Sequence, residues 1–172
     1  DQSQLAEWEQ GGAAGLHHFC AGTIWFRRAI LQSNAARRDF ELRTAFAETI
    51  WAVQRSNPSG YRYPDLVVQL AGIMYEQERF EEALSLLEQS LAQHPTSAVL
   101  YSALATSQWK LERLADAKET LIEGNTRLEG QSAEIHYNLG LILLELGETE
   151  DALSHATAAY ELGYPLPGLR NK

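Results

Sequence analysis

The chain has 172 residues and a mass of 19.2 kDa, enough to bury a core in one domain or one short repeat array. Its 45% hydrophobic and 22% charged residues are ordinary for a water-soluble protein, and no apolar run approaches the ~18 residues that a membrane helix requires. The formal charge of -9 gathers late: residues 1–60 hold six acids and six bases, residues 61–172 seventeen acids and eight bases, a balance that repels phosphate backbones and disfavours nucleic acid as a partner. The lone Cys20 excludes an internal disulfide and any zinc site built from several thiolates. A chain opening on Asp1, with neither methionine nor a signal-like apolar stretch, fits a trimmed or processed form. A soluble protein of the cytoplasm or the periplasm is expected.

Residues 1–15, with Gly11-Gly12-Ala13-Ala14-Gly15, read as a flexible or loosely docked tail. Residues 16–60 read as a longer helical hairpin with no periodic match elsewhere, one helix from Leu16 to Leu31 and a second from Ala35 to Arg55. Phe40, Ala47, Ile50 and Trp51 give the second helix an apolar stripe, and Asn57-Pro58-Ser59-Gly60 ends it. This hairpin holds the only candidate metal cluster, His17, His18 and Cys20. On a helix His17 and Cys20 share a face while His18 points about 100° away, and two ligands need a third from elsewhere. Polar packing, or a buried thiol, is the competing reading. Arg27, Arg28, Arg37, Arg38 and Arg43 form a basic concentration. It reads either as a site for an acidic partner or as a solvated face paired with acids such as Glu41 or Glu48.

Beyond residue 63 the sequence repeats itself. Leu70-Ala71, Leu104-Ala105 and Leu139-Gly140 recur at intervals of 34 and 35 residues, and so do Ala83, Ala117 and Ala152. Around each small pair lie an amphipathic helix, a polar break and a second helix start, which makes a helical hairpin repeated three times. The breaks are Glu76-Gln77-Glu78-Arg79, Lys110-Leu111-Glu112-Arg113 and Glu145-Leu146-Gly147-Glu148, with Gly147 as a left-handed stop. Pro64, Pro95 and Pro165 punctuate the array, and Ser97 and Ser132 stand where N-caps belong. Small residues are needed where two axes come within ~8–10 Å, because a larger side chain would push them apart. Each hairpin alone leaves an apolar face bare, and stacking covers it.

The pattern Leu70-Ala71, Phe80, Ala83, Leu87, Ser90, Pro95 resembles the tetratricopeptide repeat, and Leu139-Gly140, Gly147, Ala152, Ala156, Ala159 does so again. Leu104-Ala105, Leu114, Ala117, Leu121, Gly124 fits between them, with Glu129 where the terminal proline usually stands. The resemblance implies an all-α fold, an α-α superhelix of three such units at about 64–97, 98–131 and 132–163, preceded by the 16–60 hairpin and followed by a tail at 164–172. The run from Leu16 to Cys20 with Arg27-Arg28-Ala29 also resembles the start of some bacterial repeat proteins. The last helix, rich in small residues (Ala152, Ala156, Ala158, Ala159), is expected to leave a face partly uncovered for a partner or a second copy, a homodimer among the options.

In this family the first helix of each hairpin lines a concave surface. Position by position, that implies a groove of Asp65, Val68, Gly72, Tyr75 and Glu76, then Val99, Ser102, Thr106, Trp109 and Lys110, then Glu134, Tyr137, Leu141, Leu144 and Glu145. Members that hold a chaperone's C-terminal carboxylate use lysines, asparagines and an arginine at positions matching Val68, Gly72, Ala103, Glu134 and Asn138. Only the asparagine is kept, so such a clamp is not expected. Tyr75, Trp109 and Tyr137 offer large area at low entropy cost, which suits a protein or peptide partner with apolar anchors and positive charge. The competing reading packs these aromatic rings between hairpins. No phosphate loop, nucleophile elbow or zinc-protease motif occurs. Glu81-Glu82 and Glu150-Asp151 open second helices, where the macrodipole favours acids. The expected protein is therefore a non-catalytic scaffold without cofactor. The alternative is a ligand- or metal-binding module around His17, His18, Cys20 and Trp25.

Overall fold

A computed structural model describes residues 2–10, 13–165 and 168. The expected all-helical class holds: among the described residues there are nine α-helices and no strand. The chain divides into two compact units at the step from His94 to Pro95. The first contains α1 (Gln2–Gln10), α2 (Leu16–Leu31), α3 (Ala35–Arg55), α4 (Tyr63–Glu76) and α5 (Phe80–Gln93). The second contains α6 (Ala98–Lys110), α7 (Leu114–Arg127), α8 (Ala133–Glu145) and α9 (Thr149–Glu161).

In the first unit α2 pairs with α3, α3 with α4, and α4 with α5. The crossing of α2 and α3 is set by Gly22, where an added Cβ would lie 2.3 Å from Thr49 Oγ1 and 3.4 Å from the Ala45 carbonyl. So close an approach admits only small or compact side chains opposite. It decides which side of α3 turns inward. Glu41, Leu42, Ala45, Thr49, Ala52 and Val53 are buried, whereas Phe40 and Ala47 are exposed and Ile50 and Trp51 lie at the flank. The expected stripe of Phe40, Ala47, Ile50 and Trp51 is thereby corrected, because helical periodicity alone could not weigh the contact with Gly22 against side-chain bulk.

A polar network closes the same crossing. Gln69 of α4 donates to Thr49 Oγ1 at 2.8 Å and to the Phe19 carbonyl at 3.2 Å, and Thr23 Oγ1 donates to Gln69 Oε1 at 2.5 Å. Each buried polar atom in it has a partner, which is the condition for a polar group to be tolerated inside. The segment expected as a loose tail holds α1. Trp8 is buried against Phe19 with ring centroids 4.7 Å apart, Arg62 donates to Glu7 at 2.6 Å, and the Ala14 N–H donates to Ser56 Oγ at 2.7 Å. Trp8 supplies apolar area that overrides the flexibility of its glycine-rich neighbours; Gly11 and Gly12 lie outside the described residues.

In the second unit α6 packs on α7, α8 on α9, and α8 also lies against α6 and α7. Ala105, Ala117, Gly140 and Ala152 are buried in these hairpins, as Ala71 and Ala83 are in the α4–α5 hairpin of the first unit. At Gly124 of α7 an added Cβ would stand 2.7 Å from Cγ of Tyr101, a ring only 1% exposed. Tyr101 also holds the Pro95 carbonyl through its hydroxyl at 3.4 Å. The small residues Ala152, Ala156 and Ala159 of α9 face inward as well. Its outward face is Glu150, Leu153, Thr157 and Glu161, so the uncovered face expected of the last helix is not the small-residue one.

The breaks between paired helices share one geometry. Glu78, Glu112 and Gly147 all take the left-handed conformation, with φ of 61°, 61° and 79°. The next residue's N–H then reaches back: Arg79 to the Met74 carbonyl at 3.0 Å, Arg113 to Gln108 at 2.9 Å and Glu148 to Leu143 at 2.9 Å. These are helix C-cap closures that satisfy end carbonyls, and glycine serves them at least steric cost. Only the third break uses it. Pro64 stands in the first turn of α4, and Ser132 caps α8 by accepting from the Ile135 N–H at 3.3 Å. Ser97 occupies the N-cap of α6 without a side-chain bond.

α8 and α9 also meet through two histidines. His136 donates from Nε2 to the Gly130 carbonyl at 3.1 Å, which leaves its Nδ1 to accept from His155 Nδ1–H at 2.8 Å. Burial pushes His155 below the usual histidine range and neighbouring His136 adds to it, against a smaller opposing pull from Asp151.

Three outcomes follow for stability. Glu78→Gly or Glu112→Gly relieves a left-handed non-glycine residue and is expected to stabilise by about 0.5–1 kcal/mol, read as a higher midpoint in thermal denaturation. Gly124→Ala forces a methyl into the Tyr101 ring and is expected to cost about 1–3 kcal/mol in urea unfolding. Because the folded His155 value lies below its unfolded value near 6.5, the unfolded chain binds the extra proton between the two, so stability falls as pH drops through that window. Thermal midpoints measured from pH 7.5 to 5 are expected to fall less steeply in His155→Asn.

Candidate functional site

The residues expected to line the groove fall on two units. On α4 in the first unit, Val68, Tyr75 and Glu76 are half-buried. Tyr75 lies 4.8 Å from the Phe80 ring, and its hydroxyl is pushed up by burial and by the adjacent Glu76 charge. Glu76 accepts from Arg38 of α3 at 2.5 Å. Gly72 lies beside Phe26, whose ring atoms would be 3.5 Å from an added Cβ.

In the second unit, α6 and α8 lie side by side and present equivalent positions 35 residues apart: Ser102 and Tyr137, Thr106 and Leu141, Trp109 and Leu144. Helical spacing places each trio on one face. Burial then separates them. Thr106 and Lys110 are exposed, and Trp109, Leu141 and Leu144 are half-buried and reachable. Ser102 is only 5% exposed and Tyr137 only 8%. Tyr137 stacks on Tyr164, ring centroids 4.0 Å apart, where the chain turns back after α9. Two of the expected contact residues are therefore floor rather than surface. A sequence reading misses this because Tyr164 lies beyond the last helix and outside the repeat register. Leu166, Pro167 and residues 169–172 of the expected tail lie outside the described residues.

In the first hairpin His18 takes the polar-packing role. His18 contacts Glu48 through Nδ1 at 2.5 Å and lies tilted against Trp51 with ring centroids 3.8 Å apart, and Arg55 sits 4.2 Å above the Trp51 ring. His17 and Cys20 are exposed. The buried-thiol expectation for Cys20 is thus corrected. Among the described residues no three His, Cys, Asp or Glu side chains are grouped so as to hold a metal ion. Trp25 packs edge-on to Phe40 at 6.1 Å, with Arg28 4.5 Å above its ring.

The arginines partition among acids. Arg28 and Arg37 share Glu41 Oε1 at 3.2 and 3.5 Å, Arg38 takes Glu76, and Arg43 takes Asp39 at 3.1 Å. Glu41 is a partner as expected, whereas Glu48 goes to His18 instead. An open cleft of about 320 Å³ lies between the start of α3 and the α4–α5 turn, lined by Arg38, Asp39, Leu42, Glu76, Glu78 and Arg79. No spacing in the sequence joins those residues, which lie up to 41 positions apart, since only the packing of α3 on α4 brings them together. Among the described residues, no helix is long and apolar enough to cross a membrane.

Comparison with known proteins agrees with this geometry. Two tetratricopeptide-repeat family profiles match, at residues 74–127 and 102–165, together covering more than half of the chain. A curated relative, the inactive TPR repeat-containing thioredoxin TTL3 of Arabidopsis thaliana, is 30% identical over 92 residues, 54% of this chain and 13% of its own length. The chain therefore spans a small part of that relative. A tetratricopeptide repeat protein from Parabacteroides merdae superposes with a TM-score of 0.60 at 18% identity, covering 86% of this chain and 57% of that one. The Yersinia enterocolitica type III secretion chaperone SycD, in complex with a peptide of the translocator YopD, gives a TM-score of 0.51 at 17% identity, covering 62% and 81%. With the repeated hairpins, their left-handed breaks and the matching profiles in hand, the chain belongs to the tetratricopeptide-repeat family.

Proposed function

We propose that the chain is a non-catalytic scaffold that holds a protein or peptide partner on the first helices of its hairpins, above all on the paired α6–α8 face. The observation that carries this reading is the row of Trp109, Leu141 and Leu144 on two adjacent helices. These residues keep apolar surface open to solvent at equivalent repeat positions. A large ring flanked by aliphatic side chains is the composition of a binding hot spot. Thr106 and Lys110 add exposed polar contacts beside it, and Glu134 and Glu145 on α8 favour a partner with some positive charge. Tyr137 and Ser102 contribute as floor. The likeness to SycD, whose structure holds a peptide of the translocator YopD, supports a peptide partner. On α4 of the first unit, Val68 and Tyr75 are half-buried candidates in their own right, and Glu76 is already committed to Arg38.

The catalytic alternative lacks a constellation of residues, and the metal-binding alternative lacks a third ligand among the described residues. Affinity capture with the wild type beside Trp109→Ala/Leu144→Ala tests the reading, with circular dichroism to show that both are folded. The double variant is expected to lose at least about tenfold in retention of a partner that the wild type holds, the scale of a lost hot spot. Equal retention by both proteins would overturn the assignment to α6–α8.

A further inference from the structure

We propose that the chain associates head to tail with a second copy of itself, the outward stripe of α2 on one copy meeting the outward face of α9 on the next. This goes beyond peptide binding at α6–α8 and uses different residues.

The helix α2 carries apolar residues on its outward side as well as its inward one. Gly22 and Ala29 are buried inward, while His17, Cys20, Ile24, Arg27 and Leu31 recur outward at intervals of three or four. Ile24 is 59% exposed and Leu31 is 85% exposed. A helix with apolar residues all round is ordinarily covered, and water is a poor cover for a side chain like Leu31. Its charge is one-sided too: the 16 residues contain Arg27 and Arg28 and no carboxylate, and while Arg28 reaches Glu41 of α3, Arg27 stands on the outward stripe.

The helix α9 is the complement. Its 13 residues contain Glu150, Asp151 and Glu161 and no lysine or arginine. Glu150, Leu153, Thr157 and Glu161 form the outward face, with Leu153 68% exposed; Leu146, in the turn before α9, is 37% exposed. Ile24 and Leu31 stand seven residues, about two turns, apart on α2. Laid together, α2 offers Ile24 and Leu31 and α9 offers Leu153, flanked by Arg27 on one side of the contact and by Glu150 and Glu161 on the other. Pairing α2 with α2 brings arginines together, and pairing α9 with α9 brings carboxylates together; only the mixed contact attracts. Because two different surfaces meet, addition of copies continues until a ring closes.

Sedimentation velocity on the full chain, over the micromolar range at low salt, tests this. The wild type is expected to grow in average mass with concentration and to return toward the monomer as NaCl rises from about 0.05 to 0.5 M. Ile24→Ser/Leu31→Ser and Glu150→Gln/Leu153→Ser alter exposed positions, so their helical content should be unchanged. Each alone is expected to associate about tenfold more weakly or worse. An equimolar mixture of the two variants joins the intact α9 of one to the intact α2 of the other and is expected to give complexes of two that grow no further. A monomeric wild type at every concentration overturns the proposal, and so does disruption by one variant alone. Failure of the mixture to recover association also overturns it. Binding of a monomeric chain to phosphatidylserine-containing vesicles through Ile24 and Leu31 would assign the stripe to a lipid surface instead.

Discussion

The structure depends on close approach of helix axes at sites that hold a methyl group or less. Gly22 against Thr49 and Gly124 against Tyr101 are the tightest, and the buried alanines of the three later hairpins extend the same principle. A contact of this kind is intolerant in both directions, since a larger residue collides and a gap forfeits dispersion contacts. It also has consequences at a distance along the chain. Once Gly22 fixes the crossing of α2 and α3, the inward side of α3 is chosen, Phe40 and Leu31 are left outside, and α4 can join the crossing through Gln69.

Two groups of polar side chains in this frame are placed with their partners. Thr23, Thr49 and Gln69 satisfy one another across three helices, and His136 and His155 do so across two. Buried atoms without a hydrogen-bond partner include Trp8 Nε1, Ser90 Oγ, Ser102 Oγ and Asn125 Oδ1, and Glu41 is a partial exception of the same kind. It is 1% exposed, receives Arg28 and Arg37 at one oxygen, and its other oxygen has no hydrogen-bond partner among the described atoms. Removing either arginine would leave a buried carboxylate poorly compensated, which is costlier than losing an exposed ion pair.

Charge and repeat chemistry divide the labour along the sequence. The repeats carry the acidic excess and the half-open apolar row of Trp109, Leu141 and Leu144, whereas the first hairpin concentrates arginine and exposed aliphatic surface. Such a division gives one chain an acidic part and a charge-balanced part, and electrostatic complementarity governs partner choice and encounter rate more than raw affinity.

The sequence by itself determined the helical class and the three hairpins after residue 63, because small residues at 34 and 35 positions and polar breaks between them are local and periodic. It also determined that Trp109, Leu141 and Leu144 share a register, since a helix face follows from spacing alone. What the tertiary structure decided is everything that turns on a non-local neighbour. Trp8 made a helix of the expected tail, Tyr164 covered Tyr137, and Gly22 turned Phe40 and Ala47 outward. Packing likewise gave Glu48 to His18 and gathered Arg38, Glu76 and Arg79 around one cleft. Periodicity reports which residues share a face, but the choice of the face that is buried, and of what covers it, belongs to contacts between residues far apart in sequence.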